Sequence, residues 1–360
     1  MQKLKPLEEK GKIKLSFNPY TYVRTVVMRS LLLRKEGYQK MLKMGFSEIA
    51  KSLQETSYRK EISELSSHYS GADLIELALN RNLAESLKKL IRISSPEIKK
   101  IVEEYAKRRD IDDIKTILRG KFTKVSENEI DKSITAAGTL KMDFLLSLMK
   151  KESIESVLKS NSVVDFAALK SGLKHLNEKN SLAEIENALD RFYYTRLLWF
   201  SASLPNEGAL FRSFVLKEIE IINILTLLRM KKAGISKEQI KNFMILSGEK
   251  KSDSKIAALI GTENALDILK ALEKTEYKNI IAAAMDEFSR TGSLIALETG
   301  IYKHLLRQSI LFMHQHPLSV DVILGYMFAK EIEVRNLKLI VKGKQLGLNE
   351  DFIESQLVYE

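Results

Sequence analysis

Three stretches of this 360-residue chain spell the same helix. They are DIDDIKTILRGK (Asp110 to Lys121), EIEIINILTLLRMK (Glu218 to Lys231) and EIEVRNLKLIVKGK (Glu331 to Lys344). With Asp113, Asn223 and Asn336 aligned, the columns agree at offsets of 110 (113 to 223) and 113 (223 to 336). Ile111, Ile221 and Val334 form one apolar column. Ile114, Ile224 and Leu337 form the next, followed by Ile117, Leu227 and Ile340 and then by Leu118, Leu228 and Val341. That spacing covers one face of an α-helix. The polar columns repeat as well: Lys107, Lys217 and Lys330 precede Asp110, Glu220 and Glu333, and the helices close on Arg119, Arg229 and Lys342. A chain copied in this way must build three similar units and pack them together.

The repeat extends past the helix. Ser126, Ser236 and Asn349 stand in register as N-cap residues ahead of Ile130, Ile240 and Ile353, and Glu129 and Gln239 complete a capping-box pattern in the first two. Of the five prolines, Pro96, Pro205 and Pro317 recur just ahead of the motif helices, where proline suits a first helical turn. Ile49, Lys51, Leu53, Thr56, Tyr58 and Arg59 return 219 residues later as Ile268, Lys270, Leu272, Thr275, Tyr277 and Lys278, whereas the middle copy keeps only Ile154 and Leu158. The expected organisation is a flexible basic arm over 1–16 and helical repeats over 17–124, 125–234 and 235–360. Within the first, Val23, Val27 and Leu31 mark a long opening helix and Asp73 an N-cap. Ser247 to Lys255, with Gly248 and three lysines, reads as a loop.

Few Gly and Pro, abundant Leu, Ile, Lys, Glu and Ala, and no sustained apolar and polar alternation predict an all-α fold. No apolar run approaches the roughly 18 residues of a membrane span, and no signal-peptide core is present, so the expected setting is cytoplasmic. The absence of cysteine removes disulfides and thiolate chemistry. A net charge of +11 favours an anionic partner surface, whether nucleic acid, lipid headgroups or protein. Acids are interspersed among the bases throughout, so a solvated lysine-rich surface accounts for the charge equally well.

None of the glycines builds a nucleotide-binding motif, so no cofactor is expected. His314-Gln-His316 is the only candidate metal cluster, and its spacing suits a strand better than a helix; two imidazoles finishing a helix is the favoured reading, and no metal is expected. Asp113, Asn223 and Asn336 border the apolar stripe, where each could anchor contacts between copies or satisfy a backbone group of a neighbouring segment; the second is preferred. Arg119, Lys121, Arg229, Lys231, Lys342 and Lys344 are candidate partner contacts, against a reading in which they complement the helix dipole. Trp199, among Phe192, Tyr193, Tyr194, Leu197, Leu198 and Phe200, is expected in the core. No catalytic residues stand out.

Asn18-Pro19-Tyr20-x-Tyr22-x-Arg24-x-x-x-Met28, Glu76-x-Ala78-Leu79-Asn80-Arg81-Asn82 and Asp113 to Lys121 resemble the C subunit family of archaeal-type and V-type ATP synthases, the counterpart of vacuolar ATPase subunit d. The resemblance covers nearly the whole chain. It implies a funnel of three similar helical domains on the cytoplasmic face of the cell membrane, peripheral to it. There the protein would join the membrane proteolipid ring to the base of the central shaft, with peripheral contact with the membrane surface, and transmit torque without catalysis. Met230 where the other copies have glycine, and Lys124 where they have Gly234 and Gly347, leave the three C-terminal helix caps free to differ. The alternative is a basic helical-repeat protein that binds nucleic acid, which would concentrate its bases on one face; with the family resemblance, no nucleic acid is expected.

Overall fold

The computed structural model describes residues 19–204, 208–316 and 318–359, and among them every regular element is helical. The arm of residues 1–16, Pro205 and Pro317 lie outside the described residues. After an opening helix α1 (Pro19–Ser30), the order of helices repeats in sixes. The first set is α2 (Lys35–Leu42), α3 (Phe46–Leu53), α4 (Arg59–Leu65), α5 (Gly71–Ile93), α6 (Pro96–Thr123) and α7 (Glu127–Ser133). The second is α8 (Met142–Met149), α9 (Ile154–Ser160), α10 (Phe166–Lys179), α11 (Ala183–Ser203), α12 (Gly208–Lys232) and α13 (Lys237–Phe243). The third is α14 (Lys250–Gly261), α15 (Ala265–Leu272), α16 (Lys278–Thr291), α17 (Ile295–Gln315), α18 (Val320–Gln345) and α19 (Glu350–Ser355). Each set has three shorter helices, a long antiparallel pair and a short closing helix.

The repeated motif occupies only the C-terminal half of α6, α12 and α18. Its apolar columns are all buried, from Ile111, Ile221 and Val334 through Leu118, Leu228 and Val341. The starts follow the sequence rule: Ser126 and Ser236 accept from the N–H of Glu129 and Gln239, and Asn349 from that of Asp351. Pro96 opens α6 behind the Ser95 cap. The ends turn out alike. Lys124, Gly234 and Gly347 all adopt the left-handed conformation, with φ of 57°, 70° and 66°. The N–H of the next residue then closes onto the carbonyl of Gly120, Met230 or Gly343 at 2.9, 3.0 and 2.9 Å. Lysine tolerates this backbone at a cost that glycine avoids, so Lys124→Gly is expected to stabilise the chain by about 0.5–1 kcal/mol, measured by urea unfolding.

Three local expectations need correction. Asp73 is not the N-cap of α5; Ser70 holds that position, and Asp73 lies in the first turn, paired with Lys132 at 2.5 Å. Ser247 to Lys255 is only half loop, because α14 starts at Lys250. The carboxylate of Asp253 accepts from the N–H of Ser247 and of Gly248 at 2.9 and 3.0 Å, which ties the loop to the first turn of that helix. α1 turns the opposite way from its valine spacing: Val23, Val27 and Leu31 are 57%, 51% and 56% exposed, while Thr21, Tyr22, Thr25 and Met28 face inward. Threonine can be buried there because Thr21 donates to the Ile93 carbonyl and Thr25 to that of Thr21, both at 2.7 Å.

The six long helices form a closed ring. α5 packs on α6, α6 on α11, α11 on α12, α12 on α17, α17 on α18, and α18 returns to α5. Each motif helix is therefore gripped by its own hairpin partner and by the first long helix of the next copy. The ring encloses a core in which α18 also touches α6 and α12.

Candidate functional site

Ring closure uses the same residues three times. Arg119 pairs with Glu186 at 2.6 Å, Arg229 with Glu298 at 2.7 Å and Lys342 with Glu76 at 2.6 Å. The first copy thus holds the second, the second holds the third, and the third returns to the first. The ammonium groups of Lys121, Lys231 and Lys344 donate in the same cycle to the carbonyls of Lys151, Thr262 and Leu42, at the ends of the next copies' short helices. All six basic residues singled out in the sequence are thus engaged within the chain. The acidic partner Glu298 was not apparent there, although the offset of 112 from Glu186 would have found it.

Asp113, Asn223 and Asn336 satisfy backbone groups 22 residues downstream, where the chain leaves the short closing helix. Asn223 clasps Ile245, donating to its carbonyl at 2.8 Å and accepting from its N–H at 2.9 Å. Asn336 does the same with Val358, at 2.6 and 3.0 Å. In the first copy two N–H groups, those of Thr135 and Ala136, point at one side chain at 2.8 and 2.9 Å, and there the residue is Asp. Burial pushes its carboxyl up to about 6 despite those donors.

The centre of the ring is a column that likeness between the copies does not reveal. Arg108, Glu218 and Glu331 are equivalent positions at the same offsets, and they meet: Arg108 reaches Glu218 at 3.1 Å and Glu331 at 3.6 Å. Tyr105 donates to Glu218 at 2.8 Å, and Arg109 holds Glu331 at 3.2 Å. The Glu218 and Glu331 side chains keep only 3% and 9% of their surface. Burial holds the Glu218 carboxyl above the usual carboxylate range, with Arg108 and the Tyr105 hydroxyl opposing it. On the N-terminal side of this cluster the axis is filled by Tyr105, Phe214 and Phe328, with Phe214 against Phe328 at 5.9 Å and Tyr105 at 6.2 Å.

On the C-terminal side the axis opens. Residues 4, 7 and 11 positions beyond Arg108 lie within about 40° of its direction on an α-helix. They are Asp112, Lys115 and Arg119 on α6, Ile222, Leu225 and Arg229 on α12, and Arg335, Lys338 and Lys342 on α18. The three at the rim are 61%, 58% and 57% exposed, although the cluster about 16 Å below them is buried. The axis is thus plugged at one end and ringed by exposed bases at the other. The inward positions of the three helices at that end are uneven: apolar along α12, basic along α18, and mixed along α6, where Lys115 pairs with Asp190.

The plugged end differs in character. Trp199 is 55% exposed, not buried as its neighbours suggested, because α11 turns Ile185, Leu189, Tyr193 and Leu197 inward and 199 falls on the opposite side. Leu311, at the equivalent position four residues before the end of α17, is 46% exposed, and Tyr20 at the start of α1 is 64% exposed. His316 finishes α17 and pairs with Asp321 at 2.8 Å, and no group of metal ligands occurs among the described residues. No described helix is long and apolar enough to cross a membrane.

Comparison with known proteins puts a family to this architecture. Residues 22–356 match the family model described as ATP synthase (C/AC39) subunit. The A-type ATP synthase C subunit of Methanococcoides burtonii is 38% identical over 99% of this chain and 100% of that protein. The proteins of the same name from Methanosarcina acetivorans and Haloferax volcanii are 36% and 30% identical, over 98% and 95% of this chain and 97% of each relative.

Proposed function

Because the chain belongs to the ATP synthase (C/AC39) subunit family, we propose that it is a non-catalytic central-stalk subunit of a rotary A/V-type ATP synthase, linking a membrane proteolipid ring to the shaft. The observation that carries the reading is the closed ring of three equivalent units around a plugged axis. An adaptor between a ring and a coaxial shaft needs stiffness in torsion, and each copy here is held on both sides. Moving one charge through 100 mV releases about 2.3 kcal/mol. Several charges per ATP then approach the roughly 5–15 kcal/mol that stabilises a whole domain, so the adaptor must be broadly braced.

In this reading the molecule is a funnel, with its recess taking the foot of the shaft and its plugged end facing the ring and the cytoplasmic membrane surface. Exposed Trp199, Leu311 and Tyr20 support that orientation, since exposed aromatic and apolar groups suit a membrane-proximal surface. Nucleic acid finds no support: the rim bases Arg119, Arg229 and Lys342 are each held by a carboxylate of the next copy.

The test is recovery of the tagged chain from detergent-solubilised membranes. Wild type is expected to bring down ring and shaft subunits together. Trp199→Glu combined with Leu311→Glu is expected to lose the ring and keep the shaft, with unchanged melting because both side chains are exposed. Loss of neither partner would refute the orientation, and recovery of neither by wild type would refute the function.

A further inference from the structure

The three junctions between copies share one pair of positions, whose member on the motif helix lies four residues before the rim base. At the first, Lys115 meets Asp190; at the second the same positions hold Leu225 and Tyr302, an apolar match. At the third they hold Lys338 and Asn80. Asn80 is turned away, donating to the carbonyl of Lys132 at 3.1 Å, and Lys338 has neither hydrogen bond nor ion pair among the described residues. It is half-buried in a cavity of about 260 Å³ beside Arg335, Leu339 and Lys342. Arg335 lies over the Tyr302 ring at 4.3 Å, Lys342 is engaged by Glu76, and Glu298, the one carboxylate lining the cavity, is held by Arg229. Burial pushes the Lys338 ammonium below the usual lysine range; the charges of Glu76, Asp113 and Asp112 oppose that push and Arg109 adds to it, but none of the three carboxylates makes an ion pair with Lys338.

We propose that the cavity at Lys338 receives an aspartate or glutamate side chain from the shaft subunit seated in the recess, which pairs with Lys338 as Asp190 pairs with Lys115. This rests on the reading of the recess as the shaft socket. It makes α18 the wall that sets the rotational position of the shaft: the apolar wall of α12 has nothing to offer a carboxylate, and the lysine of α6 is already neutralised. A threefold frame thereby accepts its partner in one orientation.

The experiment is calorimetric titration of the full chain with purified shaft subunits at 50 and 200 mM salt. Lys338→Met is expected to weaken binding at least tenfold and to flatten its salt dependence, with no loss of melting temperature. Asn80→Asp, which supplies an internal acid where Asp190 stands in the first junction, is expected to weaken binding similarly and to melt lower than wild type, because its carboxylate faces the Lys132 carbonyl that the amide now serves. Wild-type affinity in Lys338→Met would overturn the proposal and leave the socket reading standing, whether or not Asn80→Asp folds. Failure of the wild-type chain to bind shaft subunits would overturn the socket itself, and the proposal with it.

Discussion

Replacing Arg108 with methionine is expected to lower stability by about 4 kcal/mol at pH 8, because it strips the charge that bridges two buried carboxylates. The substitution is nearly isosteric along the stem, so what it removes is charge. Glu218 and Glu331, which Arg108 bridges at 3.1 and 3.6 Å, would be left as two buried carboxylates with only Tyr105 and Arg109 beside them. Burial already raises the Glu218 carboxyl, and Arg108 is the first influence opposing it, so its loss moves that group higher still. A carboxyl whose folded pKa lies above its unfolded value takes up a proton on folding. Its stability deficit therefore grows as pH rises from the unfolded carboxylate range, about 4.3, through the folded value. Arg108→Met should accordingly be closest to wild type near pH 4–5 and weakest near pH 8 in parallel urea titrations. Adding Glu218→Leu and Glu331→Leu should recover most of the loss, because an apolar cluster replaces an ion cluster at little net cost, and Arg109 keeps Asp112 at 3.2 Å. A single variant equally stable at both pH values would show that the axial charges are solvated rather than buried.

How much of this is legible in the sequence depends on the range of the interaction. The motif helix, its buried columns and the caps at Ser126, Ser236 and Asn349 are local patterns, and all appear where spacing places them. The all-α class follows from composition in the same way. Trp199 defeats periodicity because its segment is apolar nearly all round, which leaves no face to choose, and only packing against α6 and α12 decides. The start of α14 is hidden because a helix whose first turns carry exposed lysines looks like a loop until Asp253 is seen holding it. The axial column hides for a different reason. Equivalent positions are found by likeness, whereas Arg108, Glu218 and Glu331 are related by opposition: three copies meeting on one axis cannot all carry the same charge there. Ring closure is likewise invisible, since it pairs residues of the third copy with Glu76 and Leu42 of the first.

Asn336→Asp is expected to cost about 3 kcal/mol at pH 8, although the aligned residue of the first copy is Asp. The two sites look interchangeable in sequence and are not. Asn336 is 1% exposed and faces one donor and one acceptor of the same residue, the N–H and carbonyl of Val358. A carboxylate there would keep the N–H bond and set a charged oxygen against the carbonyl at a contact now 2.6 Å long. Asp113 instead receives two N–H groups and the Thr135 hydroxyl, so it has no acceptor to oppose. Asn223→Asp should behave like Asn336→Asp, because its clasp on Ile245 has the same two bonds. Protonation supplies the missing donor, so both variants should regain stability as pH falls towards 5, the direction of the linkage argued for Glu218. Asp113→Asn should lose less, about 1 kcal/mol, by turning one of several acceptors into a donor. Urea unfolding of the three variants at pH 5 and 8 separates the cases. Equal losses in all three would mean that burial alone, rather than the direction of the backbone groups, chooses between the acid and the amide. The clasp matters for coupling because it pins the segment that closes each unit, and in the third copy that segment packs Tyr359 against Tyr38 of the first, at 6.3 Å, across the junction where the ring is completed.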